Sequence, residues 1–446
     1  MLQSFQSAFK IPELRNKILF TLGILVVYRI GGQVPIPGID RIALREFFSG
    51  ADLGPLAMYD MFVGGAFTRA TVFALGIMPY ISASIIFQLL GAVIPALQKL
   101  QKEGEEGRKK ITQYTRYATV ALAAAQSFGI SMYMETIQSP HSGMSVVLDP
   151  GWGFRMLTVL TITAGTVFIM WLGEQIDAKG IGNGMSMLIF IGIVARVPWA
   201  VGQEYRDFVT NDKGILLELL VLVIIVAVTA LVVLITQGTR KIPVQYAKRV
   251  VGRRVYGGQT THLPMKLNTS GVMPIIFAQA IMFLPGMAAG LFPASEFMQQ
   301  MKVAFSAGTT VQALPYWVFY STMIIFFAYF YTAIVFNPVD LADNMKRHGG
   351  FIPGIRPGKR TSDYIDRILT RITLPGSFFL AGIAVFPFFI ISYLGVHPGL
   401  NDFFGGTGLL IIVGVALDTL QRVETHLLMR HYDGFMKKGK LKGRRG

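Results

Sequence analysis

Long blocks of apolar residues dominate the chain, and short polar segments rich in charge separate them. A helix needs about 20 mostly apolar residues to cross about 30 Å of hydrocarbon. The blocks reach this length and lack the strict alternation of a half-buried strand. The pattern therefore predicts ten transmembrane helices, at residues 18–37, 71–97, 114–134, 154–172, 184–201, 215–235, 272–292, 316–336, 374–394 and 408–428.

The distribution of positive charge orients these predicted helices. Thirty of the 41 Lys and Arg residues lie in the two terminal segments and the even-numbered loops, and six lie in the loops on the opposite side. Loops rich in Lys and Arg stay in the cytoplasm of a multi-pass membrane protein. We therefore expect residues 1–17, the loops 236–271 and 337–373, and the tail 429–446 to be cytoplasmic.

Composition agrees with a membrane protein. Of the 446 residues, 52% are hydrophobic and 15% are charged, whereas soluble proteins carry about a quarter charged residues. Mean hydropathy is +0.51. The chain has no cysteine, and its six histidines are scattered without metal-ligand spacing. These features exclude disulfides and thiol chemistry and predict neither a metal nor a cofactor.

An odd number of spans in each half gives the predicted topology its symmetry. Five spans precede the external loop 202–214 and five follow it. Two similar five-helix halves must then run in opposite directions, as in many transporters and channels. The fold class predicted is an all-α membrane protein with two inverted halves, 18–201 and 215–428, around a central pore. No residue-level repeat supports this inference, which rests on counting.

The predicted spans contain few ionisable residues. A coupled transporter of small polar solutes usually needs such groups near the middle of the membrane. A membrane-embedded enzyme would need paired carboxylates or a nucleophile, and neither is present within a span. The glycine-rich segment 180–184 resembles a phosphate-binding loop but lacks its lysine. We interpret it as a tight cytoplasmic turn that leads into the fifth span.

The loop 236–271 is basic, with no Asp or Glu from Gln237 to Asn268. Such a run can lie on anionic lipid, or it can dock RNA phosphates or an acidic protein. Two stretches rich in β-branched and aromatic residues, 242–246 and 254–256, predict a projecting hairpin that turns at Gly252. A projecting hairpin favours docking, although the sequence leaves both alternatives open.

The segment 58–70 precedes the second span on the outer side. It is mildly apolar, contains Gly64 and Gly65, and is too short to cross the membrane. It is either an interfacial helix or a re-entrant helix that folds into the passage, where surrounding protein must satisfy its backbone.

Several motifs, taken in order along the chain, resemble the bacterial SecY family, which supplies the channel subunit of the Sec protein translocase. The resemblance runs from about Ser4 to the tail. The motifs are PIPGID at 35–40, FALGIMPYISAS at 73–84, GEEGRKKITQYTRY at 104–117, GEQ at 173–175 with GIGNG at 180–184, THLP at 261–264 and GIRPG at 354–358.

The resemblance implies a protein-conducting channel of the bacterial inner membrane with no enzymatic activity. It implies that the segment 58–70 is a plug, with plug residues Met61, Phe62, Gly64, Gly65, Phe67 and Arg69. It also implies a pore ring of Ile77, Ile81, Met185, Ile189, Ile276 and Ile411. Met185 departs from the family, which often has Ile at that position, but it keeps the ring apolar.

The resemblance further implies a lateral gate formed by the second, third, seventh and eighth spans, with Gln88 and Asn268 in a polar cluster at the seam. Docking residues for the ribosome or the SecA motor would be Lys248, Arg249, Arg253, Arg254 and Arg356. The expected partners are SecE, SecG, SecA, the ribosome, the nascent or preprotein chains that pass through, and membrane lipids.

Overall fold

The protein is described by a computed structural model covering residues 11–50, 55–138, 143–210, 214–246, 249–251, 254–256, 260–268, 270–291, 295–297, 300, 314–394, 400, 403 and 407–438. Within these ranges the chain is mostly helical, with fifteen helices and five short strands. The expectation of an all-α chain is therefore incomplete, because strands occur in the basic loops.

In the described residues up to Thr210, the regular secondary structure consists of helices and a few isolated β-bridges. Its helices are α1 (Pro12–Gly31), α2 (Arg41–Gly50), α3 (Pro55–Phe62), α4 (Met78–Val93), α5 (Pro95–Lys102), α6 (Glu105–Thr136), α7 (Trp152–Lys179), α8 (Gly184–Val194) and α9 (Val197–Thr210).

The second part alternates long helices with the strands. Its elements are α10 (Ile215–Gln237), β1 (Thr239–Tyr246), β2 (Arg249–Val251), β3 (Arg254–Tyr256), β4 (Thr260–Lys266), α11 (Met273–Leu291), α12 (Leu314–Val335), α13 (Pro338–Arg347), β5 (Gly350–Phe351), α14 (Lys359–Leu394) and α15 (Thr407–Lys438).

Two compact units make up the chain. Unit 1 contains Met1–Ser84, Lys109–Pro198 and Ile411–Gly446, and unit 2 contains Ile85–Arg108 and Trp199–Leu410. The boundaries of the two predicted halves stay a prediction.

Helix α10 shows most directly that the protein is built for a membrane. Its sequence is apolar on every side, yet only 11% of its most apolar stretch is buried. Leu216, for example, is 84% exposed. A helix that is hydrophobic all round is stable when other apolar material surrounds it, and here lipid supplies that material.

Among the described residues, five helices are long and apolar enough to cross a membrane, and six if α4 and α5 form one broken span. The five are Trp152–Lys179, Gly184–Thr210 (α8 and α9 taken together), Ile215–Gln237, Leu314–Arg347 (α12 and α13 taken together) and Lys359–Phe386. The other predicted spans also coincide with helices, but those helices do not pass the same test. The protein is therefore a multi-pass membrane protein, while the count of ten stays a prediction.

Capping residues explain where several helices begin. Asn183 caps α8, because its side chain accepts a hydrogen bond from the Ser186 N–H at 3.1 Å. Asn337 does the same for α13, accepting from the Val339 N–H at 3.1 Å. Asn side chains satisfy helix N–H groups that have no partner within the helix.

The basic loops of unit 2 fold as one small layer of sheet and helix. Strand β1 pairs with β4 on one side and with β5 on the other, both antiparallel. Alternate side chains of β1, such as Ile242 and Val244, point into a core shared with α13 and α14. That core contains Ile242, Val244, Met265, Met345, Ile352, Ile365, Ile368, Leu369 and Ile372. We call this layer the platform.

The predicted hairpin is confirmed and is longer than the two stretches that indicated it. Strands β2 and β3 pair with Val251 opposite Arg254. The stretch 242–246 pairs with the region of β4, and Ile242 lies opposite Leu263. The pairing keeps one register down to Thr239 and Lys266. Gly252, the predicted turn residue, lies outside the described residues.

An ion pair joins α6 to α7 on the predicted outer side of unit 1. The Arg155 guanidinium donates to both carboxylate oxygens of Glu135, with the shortest contact 2.6 Å, and the Gly151 N–H donates to the same carboxylate at 3.0 Å. These hydrogen bonds hold the pKa of Glu135 below its usual range. The pair therefore stabilises the fold above the usual carboxyl pKa, and this stabilisation disappears as pH falls through the lowered value.

Close backbone contact joins α7 to the start of α8. A Cβ atom built on Gly184 would overlap the carbonyl oxygen of Gly173, which is rigid backbone that cannot move aside cheaply. By contrast, a Cβ atom on Gly23, in the exposed part of α1, would meet nothing within 4 Å.

We therefore expect Gly184→Ala to destabilise the protein by about 1–3 kcal/mol, because overpacking forces α7 and α8 apart. The matched control, Gly23→Ala, should leave stability unchanged or raise it by up to about 1 kcal/mol, because Ala favours a helix over Gly. Thermal unfolding of the purified protein in detergent measures both effects. Equal midpoints for the two variants would contradict the packing described.

Candidate functional site

The predicted plug, 58–70, forms the end of α3 and a compact turn after it. Side chains of Met61, Phe62 and Phe67 are buried. Gly64 and Gly65 have φ of +71° and +81°, a left-handed backbone that glycine adopts without strain. The two glycines therefore reverse the chain, and the aromatic side chains turn inward. The segment is buried along most of its length and does not lie on the surface as an interfacial helix would.

Arg69 fastens the end of this segment. Its guanidinium donates to the carbonyl oxygens of Gly64 at 2.8 Å and Gly65 at 2.6 Å, and to the Gln33 side chain at 2.9 Å. Just beyond it, the Ile36 N–H donates to the Ala70 carbonyl and the Val72 N–H to the Val34 carbonyl, each at 2.9 Å. The end of the plug is thus tied to the PIPGID segment.

Sequence reasoning missed two residues of this site, Asp60 and Arg196. The Asp60 carboxylate is buried, accepts hydrogen bonds from Thr68, and forms an ion pair with Arg196 at 3.0 Å. One signal was available, since Asp60 is the only acidic residue within 58–70. Its partner could not be found from spacing, because it lies 136 residues further along the chain.

The glycine-rich segment 180–184 is a tight turn between α7 and α8, as predicted. The Ile181 N–H donates to the Thr21 hydroxyl at 3.0 Å, and the Gly184 N–H donates to the Asp177 carboxylate at 2.8 Å. The Gly182 carbonyl accepts from Arg422 of α15 at 3.2 Å. Side chains from α1 and α7 therefore already accept from the Ile181 and Gly184 N–H groups, the kind of donor that a phosphate would need.

The six predicted ring residues are distributed over four elements. Ile77 lies directly before α4 and Ile81 in its first turn, while Met185 and Ile189 lie in α8, Ile276 in α11 and Ile411 in α15. All but Met185, which is partly buried, are buried. Five of them belong to unit 1, and Ile276 belongs to unit 2. Their joint arrangement as a ring stays a prediction.

The two predicted gate residues both lie in unit 2. Gln88 is half-buried in α4. Asn268 is buried, and its amide donates to the Gly271 carbonyl at 3.0 Å and accepts from the Ser270 hydroxyl at 3.3 Å. Asn268 therefore shapes the turn that leads into α11, a local role in addition to the one predicted.

Two of the predicted docking residues, Arg249 and Arg254, lie in β2 and β3, a two-stranded sheet separate from the platform. Lys248 and Arg253 lie outside the described residues. Other basic side chains are exposed on the platform itself. They are Arg240, Lys241, Lys266, Lys346, Arg347, Lys359, Arg360, Arg367 and Arg371. Exposed Asp340, Asp343, Asp363 and Asp366 also lie on α13 and α14, so the surface over this apolar core carries an excess of positive charge and is not uniformly basic.

Arg356 lies on a fixed turn of this layer. Its side chain is exposed, and its carbonyl accepts a hydrogen bond from the Thr361 hydroxyl at 3.0 Å. Gly354 and Gly358 on either side have φ of +82° and +103°. The GIRPG motif therefore holds one arginine outward at the start of α14.

Comparison with known proteins agrees with these features. The SecY family model matches residues 71–420. The protein translocase subunit SecY of Aquifex aeolicus is 45% identical over 98% of this chain and 100% of its own length. The Escherichia coli K12 subunit is 44% identical over 98% of each chain.

Solved structures agree in fold. One described as "The structure of a protein conducting channel" covers 94% of this chain and 96% of its own, with a TM-score of 0.64 and 16% identity. Another, "Sec61 in the Canine ribosome-channel complex from the endoplasmic reticulum", has a TM-score of 0.60 over the same shares. At identities this low, the similarity to solved structures shows only that the fold is shared. The family match and the full-length relatives show common ancestry. The chain belongs to the SecY family.

Proposed function

We propose that this chain is the central protein-conducting channel subunit of the Sec translocase. It passes unfolded secretory chains across the membrane and releases transmembrane segments sideways into the bilayer. The main support for this proposal is 45% identity to a protein translocase subunit SecY over 98% of the chain. We assign the chain no catalytic step, so the driving force comes from its partners.

The proposed topology has ten spans in two inverted halves, 18–201 and 215–428, joined by the external loop 202–214. Both termini face the cytoplasm, and the membrane is the bacterial inner membrane. The excess of Lys and Arg on one side supports this orientation. The helices found within each predicted span support the count.

The proposed pore is lined at its narrowest point by Ile77, Ile81, Met185, Ile189, Ile276 and Ile411. Aliphatic side chains make no hydrogen bonds to a passing peptide, so they impose no sequence preference. An apolar constriction also loses its water when empty, which limits ion leakage. The plug, 58–70, closes the same passage, and its burial and the hydrogen bonds of Arg69 support a docked position.

The proposed lateral gate opens along the second, third, seventh and eighth spans, with Gln88 and Asn268 among its polar residues. A segment that leaves sideways is sorted by partitioning. Each Leu or Ile favours the membrane by about 0.3–0.6 kcal/mol, whereas a charged residue opposes insertion by about 2.5–3.5 kcal/mol.

The proposed docking surface is the platform together with the hairpin strands β2 and β3, with Lys248, Arg249, Arg253, Arg254 and Arg356 as contact residues for SecA or ribosomal RNA. Its exposed basic side chains and shared apolar core support a rigid, positive surface. The Sec61 neighbour was solved in a ribosome–channel complex, which supports the ribosome as one partner. SecE and SecG are the proposed membrane partners.

The ring assignment predicts crosslinks to a chain in transit. The protein has no native cysteine, so Ile81→Cys and Ile276→Cys each provide a single thiol. We expect both to crosslink to a stalled secretory chain, because ring side chains touch it from all sides. The control Leu216→Cys lies on the exposed face of α10 and should remain at background. Crosslinking of the control alone would contradict the ring and the channel proposal.

The docking assignment predicts weaker partner binding after charge reversal. Arg253→Glu with Arg254→Glu, or Arg356→Glu alone, should lower ribosome affinity and reduce the salt dependence of binding. The slope of log K against log salt should fall by about 0.7–0.9 for each phosphate that the variant no longer neutralises. Lys109→Glu with Lys110→Glu is the matched control, because these exposed residues lie outside the platform. Equal affinity of all variants at low and moderate salt would contradict docking.

A further inference from the structure

Helix α8 carries two residues of the proposed ring, and the same face also contacts the proposed plug. Met185, Ile189 and Gly192 recur at intervals of four and three residues, so they lie on one face of the helix. Arg196 continues the series one turn later, just after the helix ends, where its N–H donates to the Ile193 carbonyl at 3.1 Å. The first two residues belong to the proposed ring, and the last two contact the plug.

The contact at Gly192 is backbone against backbone. A Cβ atom on Gly64 of the plug would lie 3.0 Å from the Gly192 Cα, and one on Gly192 would lie 2.9 Å from the Phe62 carbonyl oxygen. Real Cβ atoms almost never come this close to backbone. Two glycines therefore let the plug rest directly on α8, without a side chain between them.

The contact at Arg196 is an ion pair with a buried acid. Asp60 is 1% exposed. One of its carboxylate oxygens accepts from the Thr68 N–H at 3.0 Å, and the other accepts from the Thr68 hydroxyl and from Arg196, each at 3.0 Å. The Asp60 carbonyl also accepts from the Gly65 N–H at 2.8 Å. Asp60 thus closes the loop 60–68 and fixes that loop to the end of α8.

A buried carboxylate is stable only while it is paired, because removal of one partner leaves a charge without solvent. The pair Asp60–Arg196 therefore favours one position of the plug strongly over nearby alternatives. When the plug leaves, water reaches both charged groups and replaces their hydrogen bonds. The Asp60–Arg196 ion pair therefore favours the docked plug, and its loss costs little once water solvates both groups. A reversible latch needs both properties.

We infer that Asp60 and Arg196 are positioning residues that latch the plug onto α8, beside the ring residues Met185 and Ile189. The inference rests on the proposed function, because it assumes that segment 58–70 is the plug of a channel. A chain that spreads the ring displaces α8, and this movement pulls Arg196 away from Asp60. The latch thereby links widening of the ring to release of the plug.

The test measures plug position directly, with the full chain and its partner subunits in proteoliposomes. Phe67→Cys places a single thiol at a plug residue that is 2% exposed. A membrane-impermeant maleimide should modify it slowly. Adding Asp60→Asn or Arg196→Gln should speed modification about tenfold, the size expected when one charged hydrogen bond is removed. The double variant should be no faster than the faster single variant.

Two controls separate a latch from a merely structural role. Glu135→Gln breaks a different carboxylate–arginine ion pair of unit 1, Glu135–Arg155, and should leave the rate unchanged. Arg196→Lys keeps the charge and should restore slow modification. If Asp60 only folds the loop 60–68, Arg196→Gln will leave the rate unchanged, which overturns the latch. An equal effect of Glu135→Gln overturns it too.

Failure of the latch and failure of the proposed function give different results. If the chain is a channel without this latch, Ile81→Cys still crosslinks to a stalled chain while Arg196→Gln leaves the Phe67→Cys thiol protected. If the chain is not a channel, the crosslinks fail whatever the thiol does, and the inference falls with the proposal.

Discussion

In a membrane, every backbone N–H and C=O group that a helix does not satisfy must find a partner within the protein. Each unsatisfied group in hydrocarbon costs several kcal/mol, so irregular backbone is stable only where side chains complete it. Two irregular segments of unit 1 show how side chains do this: the proposed plug, 58–70, and the turn 180–184, which we expect at the cytoplasmic end of α8. Both are completed by polar side chains. Arg69 and Asp60 serve the first, and Thr21, Asp177 and Arg422 serve the second.

These partners have a consequence for α8, which is only 11 residues long. At its beginning, the turn 180–184 ties it to α1, α7 and α15, and Gly184 presses against Gly173. At its end, Gly192 and Arg196 hold the plug. The hydrogen bonds at its two ends therefore act together with its packing against α1 and α7 to position Met185 and Ile189.

Local patterns in the sequence predicted the parts of the structure that depend on local physics. The apolar run of α10, the turn at 180–184 and the hairpin of β2 and β3 follow from hydropathy, glycine placement and β-branched residues. The full length of this hairpin was not predicted, because it extends beyond its most strand-like stretches. The ion pair Asp60–Arg196 could not be predicted, because no local pattern relates two residues so far apart in sequence.

In the proposed function the ring and the plug have different tasks, and the chemistry of each fits its task. A ring that must accept any sequence can use only apolar contact, and apolar contact is non-directional, so it holds a plug no better than it holds a passing chain. Closure therefore needs an interaction that the passing chain does not share. An ion pair between Asp60 and Arg196 depends on two fixed positions, and a displaced plug leaves both groups to water. In this proposal, the pair lies at the end of the helix that carries Met185 and Ile189. The open passage then accepts any sequence, whereas the closed state depends on one specific ion pair.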